Sequence, residues 1–455
     1  MDTGKLRQKI LDLAIHGKLV PQDPNDEPAS ELLKRIHAER ERLVKAGKLK
    51  KDKNNTSDKS HYEKVPFEIP KSWVWCSFKD IGIVYSGGTP STLIKAYWED
   101  GEIPWITPAD LTGYTNIFIS RGKKNITYIG YEKSSAQLVP SHSILLSSRA
   151  PVGYVVINKN QLCTNQGFKS LSPLIPGLEL YIYYFCLYNI EDFILRASGT
   201  TFKELSKEEF SKTLIPLPPV NEQNIIVKVL QNILQKINSI NVEEKKLLAL
   251  IKQFKSTTLN YAVGGDLVAQ DPKDQPAIEL LKKINPNFKP CDNSHYKKIP
   301  KGWSIVPLAE ILDYEQPKPY IVDSENYSQD YSVPVLTAGK KYILGYTNEE
   351  YGICTKLPVI LFDDFTTDSR YIDFPFKVKS SAVKILHAKQ GINAIYVGYF
   401  MNITNLVSKT HKRYWISEYS KICMPLPPRK EQNQIVNIVK MFFSQLDKLM
   451  QYAAN

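Results

Sequence analysis

Leu11–Ile36 reads LDLAIHGKLVPQDPNDEPASELLKRI and Leu259–Ile284 reads LNYAVGGDLVAQDPKDQPAIELLKKI, with 16 of 26 positions identical and no gap. Self-similarity at this level decides architecture before any local element is assigned. Two further pairs extend it. His61–Trp73 (HYEKVPFEIPKSW) matches His295–Trp303 (HYKKIPKGW) with a four-residue insertion in the first copy, and Pro216–Val227 (PLPPVNEQNIIV) matches Pro425–Val436 (PLPPRKEQNQIV) at 9 of 12 positions. The order is therefore tail, variable block, head and tail, variable block, head. The first tail has no head and the last head has no tail, so the terminal segments together make one split copy of the centre. The termini are expected to meet.

The helices of the repeat carry a measurable period. Apolar residues fall at Ile226, Leu230, Ile233, Ile237, Ile240, Leu247, Ile251, Phe254 and Tyr261, in steps of four and three, which is a heptad seam. The C-terminal copy keeps it at Ile435, Val439, Phe442, Leu446 and Leu449, and Leu6, Ile10 and Leu13 form the same stripe near the N-terminus. Asn221 is placed to cap the central helix, Pro218 and Pro219 hold the preceding chain extended, and Gly264-Gly265 supplies the stop. An uninterrupted helix over the 43 residues from Asn221 to Val263 would reach about 60 Å. The central helix leads from the first block to the second and the C-terminal helix leads back, so a pair packed on these seams is antiparallel. The apolar residues Ile225, Val229, Leu234, Ile438 and Phe443 widen the stripe beyond what one partner helix buries, which implies a further partner surface.

Five segments follow: a helical segment at 1–60 that completes the C-terminal repeat, a block at 61–215, a conserved helical spacer at 216–294, a block at 295–423 and a conserved helix at 424–455. Both blocks read as α/β (α+β). Short runs such as Ser143–Leu146, Val152–Ile157, Pro358–Phe362 and Ala382–Ile385 are separated by Gly, Pro, Ser and Asn turns, and Tyr181–Arg196 and Ala394–Val407 are helical. Lys45–Lys59 is polar and basic, a solvated loop.

With 455 residues the chain exceeds what one core supports, and its hydrophobic content of 42% excludes wholesale disorder. Asp12 and His16 interrupt the apolar N-terminal stretch, so neither a signal peptide nor a membrane span is expected. Six scattered cysteines without a CxxC pair point away from a disulfide framework or a zinc site and toward a reducing cytoplasm. The net charge of +12 is spread thinly, with +1 in the first block and +3 in the second, so electrostatics alone would hold a polyanion only weakly.

Two dissimilar α/β blocks, each entered through IPKxW and left through PLPPxxEQxxIV into a long helix, resemble the specificity subunit of a type I restriction-modification enzyme over nearly the whole chain. That resemblance implies two target recognition domains separated by two long antiparallel coiled-coil helices, with a cyclic pseudo-two-fold repeat. It further implies that each domain reads one half of a bipartite, asymmetric site in double-stranded DNA. Two modification (methyltransferase) subunits and the restriction (translocase and nuclease) subunits are the implied partners. S-adenosylmethionine, ATP and Mg belong to them, and no cofactor or catalytic residue to this chain.

Candidate DNA contacts lie on loops rich in hydrogen-bonding side chains. In the first block these are Ser86, Gly87, Gly88, Thr89 and Ser91 of the SGGTPS stretch common in such domains, then Ser148, Arg149, Thr164, Asn165, Gln166 and Lys203. Gly87 and Gly88 either let the backbone approach a phosphate or make an ordinary turn. Arg149 either reaches guanine or pairs with a carboxylate of its own domain. The second block departs from the pattern, with Tyr314–Pro319 (YEQPKP) where SGGTPS is expected. Its candidates are Thr337, Lys340, Lys341, Thr366, Thr367 and Arg370, with His411, Lys412 and Arg413 aligned to Phe202-Lys203. Different loops on one scaffold imply different half-sites.

Catalytic chemistry is absent from the pattern. Asn285-Pro286-Asn287-Phe288 approaches an adenine methyltransferase signature, but its second Pro is Asn and no glycine-rich cofactor loop accompanies it, so it reads as a turn. No GxxxxGK[ST] loop exists, Glu243, Glu244 and Lys246 lie on the solvated face of a helix, and the histidines form no HxH or HxxxH pair, so no metal is expected. The competing readings are a self-contained methyltransferase or nuclease with two recognition modules, and a two-domain adaptor that binds no DNA.

Overall fold

The structure, a computed structural model, describes residues 2–49, 65–199, 203–292, 296, 298–338, 342–404, 406 and 412–454. The expected basic loop beyond Leu49, residues 61–64, 295 and 297 of the two HY[EK]K[VI]P stretches, and Phe202, Lys340, Lys341 and His411 lie outside these residues. The chain divides into two units, Met1–Val242 and Glu243–Asn455, with the boundary inside the central helix Val220–Gly264 of 45 residues.

In the first unit the chain enters and leaves its α/β block through one ribbon. Strand Val74–Ser77 pairs antiparallel with Leu214–Leu217, joining the residues after IPKSW to the PLPP approach. Between them lies a five-stranded sheet in the order Gly82–Ser86, Phe168–Pro173, Ile144–Ser148, Val152–Asn158, Phe118–Ile119. A smaller sheet sets Ile103–Ile106 between Lys124–Ile126 and Cys163–Thr164. The second unit repeats the plan. Ser304–Pro307 pairs with Cys423–Leu426, and the main sheet runs Leu312–Glu315, Val383–Ala388, Val359–Asp363, Ser369–Ile372. The expected strands are thus present. The long helix expected at Tyr181–Arg196 is broken into Glu179–Tyr188 and Ile190–Arg196 at Asn189, and its counterpart spans Ala394–Ile403.

Each unit pairs two helices in antiparallel fashion. The N-terminal helix Thr3–Ile15 meets the first part of the central helix at Thr3–Asn241 (2.7 Å) and Arg7–Asn238 (2.6 Å), while Leu11, Ala14 and Ile15 share a core with Ile226, Leu230 and Ile237. In the second unit Lys255 bonds Asp447 at 2.6 Å and Phe254 stands edge-on to Phe442, while Leu259, Ala262 and Val263 share a core with Ile435, Val436 and Val439. Arg7–Asn238 and Lys255–Asp447 occupy aligned repeat positions.

The heptad seam is buried only where something covers it. Ile226, Leu230, Ile237, Ile435 and Val439 are buried and Ile233 and Leu446 half-buried, but Ile240, Phe442 and Leu449 are exposed. In the first unit the cover ends because the N-terminal helix begins opposite Asn241. Asn221 does not cap: the helix already starts at Val220, and the Asn221 amide donates to Asp26 at 2.7 Å. The glycine stop is as expected, with Gly265 at φ +82° and Gly17 at φ +66°.

One cysteine expectation is overturned. Cys291 and Cys423 form a disulfide across 132 residues of sequence. The Cys291 N–H bonds Ile305 O at 3.1 Å, and the strand containing Ile305 pairs with the one that opens at Cys423. Spacing in the sequence carries no trace of that pairing. Cys76, Cys163, Cys186 and Cys354 are free and buried.

Candidate nucleic-acid interface

In the first block the SGGTPS stretch follows directly from strand Gly82–Ser86 and folds against the segment Thr164–Gly167. The Gly88 N–H donates to Thr164 O at 2.8 Å, and Thr89 Oγ1 bonds Gln166 Oε1. A Cβ on Gly87 would lie 1.7 Å from Asn165 O and one on Gly88 2.3 Å from Ser135 C. These glycines are therefore required by the protein's own backbone, the turn alternative rather than the phosphate one. Arg149 arrives on the hairpin between Ile144–Ser148 and Val152–Asn158, beside Gly167. Its Nη1 stands 3.6 Å from Glu204, which also accepts from Lys169 Nζ at 2.9 Å, so the carboxylate alternative holds for Arg149 in the free protein. Lys203, exposed, precedes Glu204. The structure thus gathers Thr89, Ser91, Arg149, Asn165, Gln166 and Lys203 around one end of the main sheet. Gly88, Ser148 and Thr164, proposed from sequence as contacts, are buried and support these loops from beneath.

The second block builds its loops from different residues at the same end of its sheet. Asp363 closes its hairpin by accepting from the Phe365 N–H (2.9 Å), the Thr366 N–H (3.2 Å) and Thr366 Oγ1 (2.6 Å). Thr366 is exposed, whereas Thr367 is fully buried at φ +63° and accepts from the Leu406 N–H. Asp364 ties the return segment to this hairpin through the N–H groups of Tyr414 (2.9 Å) and Trp415 (2.8 Å). Lys412 pairs with Glu418, whose hydrogen bond pushes the ammonium pKa up, and Arg413 lies over the Phe365 ring at 5.9 Å. Thr337 and Arg370 form a separate group: the Thr337 N–H bonds Tyr342 O, and Arg370 covers the Tyr342 ring at 4.6 Å.

Sequence reading missed two lysines. Lys169 and Lys384 occupy interior strand positions, and each is almost fully buried, at 5% and 1% exposure. Lys384 Nζ lies 3.5 Å from Asp364 and 2.9 Å from Gln316 Oε1. The available signal was a lysine inside the apolar runs FKSL and VKIL, at the same place in each block.

Among the described residues no group of three or more His, Cys, Asp or Glu side chains could hold a metal, and no helix is long and apolar enough to cross a membrane. Asn285 forms the expected turn, accepting from the Asn287 N–H on its side chain and from the Phe288 N–H on its carbonyl. Glu243 and Lys246 pair on an exposed helix face.

The type I restriction modification DNA specificity domain model matches residues 70–250 and 300–453, once per block. The chain belongs to that family. This specificity-domain chain is 37% identical over 257 residues to the type I restriction enzyme MjaIX specificity subunit of Methanocaldococcus jannaschii, covering 54% of this chain and 53% of that subunit. It is 43% identical over 164 residues to the EcoR124I/EcoR124II specificity subunit of Escherichia coli, covering 33% and 41% respectively. The chain thus spans about half the length of the curated relatives it matches. A chain solved in work on complex assembly and conformational transition of the type I R-M system shares the fold, with a TM-score of 0.59 at 15% identity over 86% of this chain and 94% of that one.

Proposed function

We propose that this chain is the non-catalytic DNA sequence-recognition subunit of a type I restriction-modification complex, reading a bipartite, asymmetric site with one block per half-site. The observation that carries this reading is the same sheet end built twice with different chemistry. SGGTPS, TNQG and Arg149 stand in one block, and EQPKP, DDFTT and Arg413 in the other. A conserved scaffold with exchanged loops suits recognition of two unlike half-sites, because direct readout depends on side-chain type and placement. The curated relatives, all named specificity subunits, support the same assignment.

Double-stranded DNA, two modification subunits and the restriction subunits are the partners under this reading. S-adenosylmethionine, ATP and Mg act in those subunits, in the cytoplasm. Exposed Leu247, Leu248 and Leu250 on the central helix and Met441, Leu449 and Met450 on the C-terminal helix offer apolar surface for the modification subunits. Partner clamping also compensates for block charges of only +1 and +3.

The heptad helices set the half-site spacing in this account. Deleting one heptad from both the central and the C-terminal helix should shorten the gap between half-sites while leaving each half-site unchanged, read by methylation mapping of the reconstituted complex. Altered half-sites would refute it.

A further inference from the structure

Strand register aligns the two blocks independently of sequence identity. Lys169 stands opposite Leu146, and the Leu205 N–H donates to Ser148 O at 3.0 Å. Lys384 stands opposite Phe362, and the Tyr414 N–H donates to Asp364 O at 2.9 Å. Lys169 therefore corresponds to Lys384, Ser148 to Asp364, Arg149 to Phe365, and Glu204 to Arg413.

At these four positions an acid and a base change places around a constant lysine. In the first block the carboxylate on the lysine comes from the return segment: Glu204 at 2.9 Å, with Ser148 Oγ at 3.2 Å. The arginine comes from the hairpin: Arg149, its side chain one-third exposed at 33% and 3.6 Å from Glu204. In the second block the carboxylate comes from the hairpin, Asp364 at 3.5 Å, and the arginine from the return segment, Arg413, exposed, over the Phe365 ring and 3.4 Å from Ser381 Oγ. At these aligned positions each block thus has a buried lysine, a carboxylate on it and a rim arginine; the second block's other buried lysine, Lys377, pairs separately with Glu349 at 2.7 Å.

A buried ion pair is weak evidence for stability, since replacing it with well-packed apolar side chains is often neutral or stabilising. Its retention in both blocks, while every neighbour differs, calls for another role. An ammonium that holds the local carboxylate at shorter range competes with the arginine for it: Glu204 lies 2.9 Å from Lys169 and 3.6 Å from Arg149.

We propose that Lys169 and Lys384 are positioning residues for DNA reading: each engages the carboxylate where hairpin and return segment meet, Glu204 beside Arg149 in one block and Asp364 bonded to the Tyr414 N–H that follows Arg413 in the other, and so leaves the arginine's guanidinium for the duplex, from opposite sides of the same sheet end. This rests on the DNA-recognition reading above. The exchange makes the arginine's side of entry a determinant of half-site specificity, because bidentate contact with a guanine edge depends on the direction from which the fork approaches.

The test uses the complex of this chain with its modification subunits and a duplex carrying its bipartite site, with melting temperature as a folding control. Lys169→Met should weaken specific binding at least tenfold, since Glu204 then has Arg149 as its only cationic partner among the described residues at this site. Lys169→Met/Glu204→Gln should recover to within threefold of wild type, and adding Arg149→Ala should abolish that recovery. The loss should fall on the half-site of the first block alone, with Lys384→Met and Lys384→Met/Asp364→Asn mirroring it at the other. A merely structural lysine leaves the double variant as weak as the single, and that result overturns the proposal. If Lys169→Met yields no folded complex, Glu204→Gln alone decides: binding within threefold of wild type supports the proposal and a tenfold loss overturns it. A wild-type complex that prefers no duplex over a scrambled one overturns the recognition reading itself, and this inference with it. A discriminating wild type with no rescue overturns the inference alone.

Discussion

The Trp73 indole donates to the Glu222 carboxylate at 2.8 Å, and 149 residues separate the two in sequence. Gln22 donates to the other oxygen of Glu222 at 3.0 Å, so the QDP tail, the IPKSW entry and the EQ head converge on one buried acid. The second unit repeats the triad, with Trp303 donating to Glu431 at 2.9 Å and Gln270 at 3.1 Å. The motifs that define the repeat thus join each block to its helix.

Removing the indole donor should therefore destabilise the junction. Trp73→Phe leaves a buried carboxylate oxygen without its partner and a gap beside Tyr181, and should cost about 1–3 kcal/mol, read by denaturant unfolding. A variant within a few tenths of a kcal/mol of wild type would show that the triad is incidental.

The same acids set a pH dependence. Burial raises the carboxyl pKa of Glu222 and of Glu431, against the opposing hydrogen bonds from glutamine and tryptophan. The folded state then holds protons that the unfolded state has lost, so the stabilising contribution is complete below the ordinary value of 4.5 and declines as pH rises through the raised values. Glu222→Gln/Glu431→Gln should remove that decline, so that the drop in melting temperature from about pH 4.5 to neutrality is smaller than in wild type. An equal or larger drop contradicts the assignment.

Gly17 and Gly47 both have positive φ, at +66° and +69°, but only Gly17 faces an obstacle: a Cβ there would lie 2.5 Å from Pro70 Cγ, whereas nothing lies within 4 Å at Gly47. Gly47→Ala should cost about 1 kcal/mol of backbone strain, and Gly17→Ala more, with a larger fall in melting temperature. The reverse order would contradict the close packing of the tail on the IPKSW entry.

Thiol chemistry separates the six cysteines. Burial pushes the Cys163 pKa up to about 12 and that of Cys354 up to about 11, and raises those of Cys76 and Cys186 strongly. Native protein should resist alkylation at neutral pH at these four thiols, and a peptide linking Cys291 to Cys423 should appear in a non-reducing digest. Rapid labelling of Cys163 or Cys354 would contradict their burial.

The repeat and the heptads made the architecture legible because they are local patterns copied along the chain. The return of the chain to its own entry, through Val74–Ser77 and Leu214–Leu217, was not legible, because strand pairing joins residues about 140 apart that no local pattern links. The candidate loops were legible as loops, but exposure within them was not: Thr164 and Thr367 look like polar contacts in sequence and are buried by neighbours distant along the chain. Lys169 and Lys384 escaped notice for the same reason, since only strand pairing shows that one position is shared. The Cys291–Cys423 bond likewise depends on a ribbon that closes after the whole second block.

Base-methylation mapping of the source cell, with and without this chain and with active modification subunits present, tests the central claim most directly. Loss of methylation at one bipartite, asymmetric motif, with all other motifs unchanged, is the predicted result. Unchanged methylation at every motif would contradict it.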